Sequence, residues 1–165
     1  MREDRKTEQL QIRVSRSQKR AIKKLAQRAH MNMSDWVLAK ALPTAQMRFQ
    51  DLLEEMATSE KPSFAFAELL ELIGPMGAGE FESAVSALPE VALDPYWENY
   101  LAATVEHAAG MKHAKAPGWT REVIPLEEPV FGSSLESLKL HLLVNSPPAF
   151  IARNIFIDSS VGDRV

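Results

Sequence analysis

The chain has 165 residues, 45 % hydrophobic and 25 % charged, which is the balance of a folded globular protein with one ordinary domain or two small ones. No apolar run reaches bilayer-spanning length, the charged first ten residues are unlike a secretory signal, and the lack of cysteine excludes disulfides and thiolate metal sites. The net charge of −3 conceals an asymmetry: residues 1–50 carry twelve Lys/Arg against four Asp/Glu, and residues 51–165 carry seven against eighteen. Such a split suggests a basic head suited to nucleic acid and an acidic body.

The opening MREDRKT is polar, with Arg2, Arg5 and Lys6 placed to reach an anion. From Gln9 to Val14 the letters alternate, setting Gln9, Gln11 and Arg13 on one face and Leu10, Ile12 and Val14 on the other, which predicts a half-buried strand. Ser15 fits an N-cap, with Gln18 at the capping-box position. The helix it opens carries Ala21, Ile22, Leu25, Ala26 and Ala29 on one stripe, and Lys19, Arg20, Lys23, Lys24 and Arg28 elsewhere. A tight turn is expected over residues 30–33. Ser34 then reads as a second N-cap, with Asp35 in the first turn and Trp36, Val37, Leu38, Ala41 and Leu42 as apolar surface up to Pro43.

Past Pro43 the pattern is helical and acidic. Thr44 caps a helix through Met56, with Met47, Leu52, Leu53 and Met56 as burial candidates. Ser63 is expected to cap a helix through Ile73, and GPMGAG over 74–79 reads as a turn. A helix is expected from Glu80 to Leu88, stopped by Pro89. Asp94-Pro95 starts another through about His107, ending near Gly110. Tyr96, Trp97 and Tyr100 cluster at its start as core or partner contacts. A proline-punctuated connection with Trp119 spans 112–129, a last helix covers about Ser134 to Val144, and a short segment closes at Ile157.

A lone strand leaves a row of backbone donors and acceptors open, so the first forty residues are expected to close a core only as two copies. Strand, "VS-x-x-Q", helix and "M-x-x-S-D-aromatic" (Val14-Ser15, Gln18, Met31, Ser34-Asp35-Trp36) resemble the ribbon-helix-helix repressors of the Arc and MetJ type, their antitoxin members above all. The resemblance spans about residues 8–42. It implies an obligate dimer whose ribbon presents Gln9, Gln11 and Arg13 to base edges in operator double-stranded DNA. Amides suit adenine and Arg suits guanine in that role. Leu10, Ile12, Val14, Ile22, Leu25, Val37 and Leu38 would form the dimer core. The backbone at Ser34 would hold a phosphate, with Arg2, Arg5 and Lys6 adding sequence-blind contacts. The family usually has glycine where this chain has His30, a residue type that tolerates the left-handed exit of a helix.

The tail, with Pro129, Phe131, the Leu138-Leu142-Leu143 stripe, Ser146-Pro147, Phe150 and Arg153-Asn154-Ile155-Phe156, is similar to proteins paired with nucleotidyltransferase-like toxins. That similarity makes Phe131, Phe150, Arg153, Asn154 and Phe156 candidates for contact with a cognate toxin. Leu135, Leu138, Leu142 and Leu143 at helical spacing are more often core than interface.

Catalytic signals fail. His107 and His113 do not face one another on a helix, the carboxylates Glu98, Glu106, Glu122, Glu127 and Glu128 read as solvated, and GPMGAG lacks the lysine of a phosphate loop. No catalytic residue, metal site or cofactor is expected. The expected fold class is mainly α: an N-terminal ribbon-helix-helix of one strand and two helices, then an all-α or α-rich C-terminal domain. The expected domains are 1–45 for DNA binding and dimerisation, 46–62 as a linker helix and break, and 63–165 as a helical partner-binding domain. The expected function is a cytoplasmic, nucleoid-associated repressor and type II antitoxin that silences a toxin through its acidic body. A ribbon-helix-helix regulator with a ligand-sensing or oligomerising body is the alternative. A structural subunit that binds RNA or acidic protein is a third reading.

Overall fold

Helix caps written into the sequence set several element boundaries. A computed structural model describes residues 11–41, 44–87 and 91–158, and the chain divides into two units, Met1–Pro43 and Thr44–Val165.

In the first unit, α1 (Arg16–Arg28) begins at Ser15, whose hydroxyl accepts the Gln18 amide while the Gln18 side chain accepts the Ser15 amide. This reciprocal box satisfies two of the donors that every helix start leaves open. The helix ends at His30, which takes the left-handed conformation (φ 54°), and the amides of Ala29, His30 and Met31 close back on the carbonyls of α1. The second helix, α2 (Met33–Ala41), is capped by Asn32 rather than Ser34. Asn32 Oδ1 accepts the Asp35 amide at 2.8 Å, and its Nδ2 donates to the Asp35 carboxylate. Ser34 lies exposed inside the first turn. Apart from Ala26, no residue of α1 or α2 is fully buried.

The second unit is built on α3 (Ala45–Thr58, capped by Thr44) and α4 (Pro62–Ile73), joined by Arg48 and Glu68 at 2.7 Å. Pro62 at the first helical position, not Ser63, opens α4. Next come α5 (Ala78–Ala84) and α6 (Pro95–Met111), the latter capped by Asp94 accepting the Tyr96 amide. Phe49, Leu52, Leu53 and Met56 of α3 pack with Ala65, Phe66, Leu69 and Ile73 of α4, Phe81 of α5, and Leu101, Val105 and Ala108 of α6. Met47 of α3, expected to be buried, stays exposed. Helix α6 is buried on nearly every side from Asn99 to Ala109, which the small side chains of Ala102, Ala103, Ala108 and Ala109 permit.

Beyond α6 the connection is pinned by long-range bonds. Lys112 Nζ donates to Gly74 O, Trp119 Nε1 in a 3₁₀ turn (Gly118–Arg121) donates to Val85 O, and Asn99 Nδ2 donates to Ile124 O. Two two-residue strands, β1 (Val130–Phe131) and β2 (Ile155–Phe156), then pair in parallel, with Val130 opposite Ile155 and Phe131 opposite Phe156. Between them lie α7 (Glu136–Asn145) and α8 (Pro148–Ile151). Asn154, at φ 58°, turns the chain into β2 and donates from Nδ2 to Leu126 O. Ala103, Phe150, Ile155 and Ile157 form a second apolar cluster, with Tyr100 and Leu126 packed against it.

These facts correct the expected fold class. The fold is predominantly helical, and its sheet among the described residues is this parallel pair near the C-terminus, not an N-terminal ribbon. The predicted strand Gln9–Val14 is not formed where it is described: residues 11–15 are irregular, and Ile12 and Val14 are 57 % and 43 % exposed. Gln9 and Leu10 lie outside the described residues, as do Arg2, Arg5, Lys6, Leu42, Pro43, Leu88 and Pro89. Alternation over six residues is a weak signal. An extended lead-in to a capped helix has the same letter pattern, and strand pairing is decided by a partner that the local letters do not specify.

Candidate nucleic-acid interface and C-terminal cavity

Helix α1 concentrates the positive charge of the chain. Arg16, Lys19, Arg20, Lys23, Lys24 and Arg28 all lie exposed, and the helix carries no acid. Gln11 and Arg13 are exposed in the irregular lead-in, with no strand to hold them on a common face. Of the residues expected to form a dimer core, Ile22, Val37 and Leu38 are half-buried, while Leu25 joins Ile12 and Val14 in exposure, at 42 %. The unit therefore presents apolar side chains beside a helix of one charge sign.

The tail residues expected to meet a partner are placed inside the second unit. Phe150 sits in the second cluster, packed edge-on to Tyr100 at 5.3 Å. Phe131 stacks on Phe156 at 5.0 Å. Arg153, 5 % exposed, donates to Glu106 at 2.9 Å and to the carbonyls of Thr120 and Val123, so its guanidinium ties α6 to the following connection. Its Nε, together with Asn99 Oδ1 and His107 Nε2, is buried without a partner among the described residues.

A cavity of about 520 Å³ opens where α6, α7 and the strand ends converge. It is lined by Tyr96 and Tyr100 of α6, by Leu138, His141 and Leu142 of α7, and by Gly132, Ser133, Ile157 and Asp158. His141 Nε2 lies 3.3 Å from an Asp158 carboxylate oxygen, and Asn145 Nδ2 lies 3.2 Å from His141 Nδ1. The two phenol rings lean together with centroids 5.6 Å apart. Burial pushes both phenols up, and the neighbouring Tyr96 adds to the effect on Tyr100, whose pKa reaches about 12. They are therefore neutral donors and π faces near neutral pH.

In the sequence Tyr96, Trp97 and Tyr100 stand out as a cluster, but the cavity does not. Its remaining walls come from segments more than thirty residues away, and the one local signal is the one-turn spacing of the tyrosines. Among the described residues no group of three or more His, Asp or Glu is placed to hold a metal ion, and no helix is long and apolar enough to cross a membrane.

Residues 4–57 match the family model NikA-like, Mobilization protein NikA. No curated protein and no solved structure matches the chain. The matched family is that of a mobilization protein, not an antitoxin. This and the helical fold overturn the expected ribbon-helix-helix assignment, the repressor-antitoxin function and its regulator alternative, and the likeness of the tail to toxin partners.

Proposed function

We propose that the chain is a non-catalytic, mobilization-type protein whose first unit binds double-stranded DNA through its phosphate backbone, acting as a self-associated pair. The observation that carries this reading is α1: six exposed cations on thirteen residues, with no acid among them. Such a helix neutralises phosphates and releases their condensed counterions, which gives affinity without sequence readout. Arg13, exposed in the lead-in to α1, adds one more cation. The match of residues 4–57 to a mobilization protein supports the functional setting. Self-association is supported by Leu25, Ile12 and Val14, which one copy leaves exposed and a second copy would cover. The acidic second unit, with eight Lys/Arg against eighteen Asp/Glu over residues 44–165, would repel DNA and is suited to protein contact.

The test is fluorescence anisotropy of a labelled duplex of about 30 base pairs with the full chain at salt from about 50 to 300 mM. Affinity is expected to fall steeply with salt, and the combined Arg20→Ala, Lys23→Ala and Lys24→Ala variant to flatten the log–log slope by roughly 0.9 for each phosphate it no longer neutralises. A slope near zero, or an unchanged slope in the triple variant, would overturn the reading.

A further inference from the structure

Helix α7 is aliphatic on opposite sides. Leu142 is its one fully buried residue, whereas Leu140 and Val144 are each 72 % exposed and Leu143 is 45 % exposed. At the helical repeat, Leu140 and Val144 stand about 160° to either side of Leu142, at the centre of the outer face. Leu143 and Glu136 flank them on one side, Ser137 and His141 on the other. A helix with apolar residues all round is normally covered all round, and burial of Leu142 supplies that cover on one side only.

Charge decides what fits the other side. The second unit carries eighteen acids against eight bases, so a basic partner would be drawn to its surface in general. The outer face of α7 gives such a partner little to read: Leu140, Leu143 and Val144 are uncharged, and Glu136 already accepts from Lys139 at 2.6 Å. The matching occupant is a face equally apolar and equally uncharged. Helix α7 of a second copy meets that description and the self-complementarity that a twofold axis demands. With the two helices antiparallel and the axis level with Leu142, each Leu140 faces Val144 of the other copy, and both Leu143 side chains fall on one flank. The two Glu136 residues then stand about 18 Å apart along the helices, beyond the screening length of about 8 Å at physiological salt.

We propose that the outer face of α7 is an interface between two copies of this chain, formed by antiparallel pairing through Leu140, Leu143 and Val144. A ten-residue helix is about 15 Å long and buries less than a standard interface of about 1,200–2,000 Å², so this contact belongs to the weak, transient class. It is separate from self-association and DNA binding by the first unit.

The chain has no cysteine, so Ser137→Cys takes a single nitroxide label beside the outer face. Pulsed electron spin resonance on the labelled full chain at about 100 μM should show a distance between copies of roughly 20 Å. Adding Leu140→Glu with Val144→Glu should remove that distance, as should Leu140→Lys with Val144→Lys. Mixing the two variants should restore it, with helical circular dichroism unchanged throughout because both positions are exposed. Raising salt from about 50 to 300 mM screens the repulsion between two acidic units and should enlarge the short-distance population, opposite in sign to the effect on duplex binding. The two readings therefore fail separately. No population below about 30 Å, its survival in the glutamate variant, no restoration on mixing, or a short distance that fades as salt rises overturns the proposal.

Discussion

Tyr100 stands where the two apolar clusters of the second unit meet, its ring edge-on to Phe66 at 5.1 Å and to Phe150 at 5.3 Å. Burial raises its pKa from the ordinary 10.0 to about 12, with a further push from Tyr96. A phenol held neutral in the folded state binds its proton more tightly there than in the unfolded chain. Its contribution to stability is therefore complete below pH 10 and is lost as pH rises through about 12. An absorbance titration of phenolate should show Tyr100 ionising late, with the unfolding midpoint in urea falling over the same window. In Tyr100→Phe that late ionisation should vanish. Two tyrosines titrating together near 10 would contradict the burial. At this scale the sequence is informative about residue type but not about role. Arg153 and Asn154 are unusual neighbours in a tail expected to meet a partner. The structure gives them internal work: a buried guanidinium holding Glu106 and Thr120, and a left-handed asparagine turning the chain toward β2. A side chain that can serve an interface can equally satisfy a buried carbonyl, and its letter does not say which.

Among the elements, those bounded by side-chain-to-backbone bonds were legible. Ser15 with Gln18, Thr44, and Asp94 with Pro95 each start a helix as their letters predict, because a cap is a contact within three residues. At two other starts the expected cap is off by a position or two: Asn32 caps α2 in place of Ser34, and Pro62 opens α4 ahead of Ser63. In α1 the cap has more weight than usual, since Ala26 alone is fully buried and packing contributes little. Replacing Ser15 with Ala should cost about 1 kcal/mol of helix stability, with Ser15→Asp close to the native residue. The loss would be read as reduced helical circular dichroism, and an unchanged signal in Ser15→Ala would show the box to be idle. Strands were the failure. Residues 11–14 of the alternating segment are irregular, and the strands among the described residues, Val130–Phe131 and Ile155–Phe156, are too short for any period to show.

For the whole molecule, the two units differ in how much they bury. The second holds the aromatic and aliphatic clusters around α6, whereas the first buries Ala26 and leaves Leu25 exposed. Residues 44–165 expressed alone should therefore unfold cooperatively near the temperature of the full chain. Residues 1–43 should melt without a sharp transition when dilute and gain helix as concentration rises. Calorimetry of the two fragments checks this, and a non-cooperative second unit would refute it. Charge segregation, the helical caps and the helical character of the body are properties of short stretches, so the chain's letters determine them without reference to its fold. Strand partners, the burial of Arg153 and Phe150, and the convergence of Tyr96, His141 and Asp158 on one cavity were decided by contacts across tens of residues. Capping and propensity act over a few bonds, but pairing and burial are settled between segments that only the folded chain brings together.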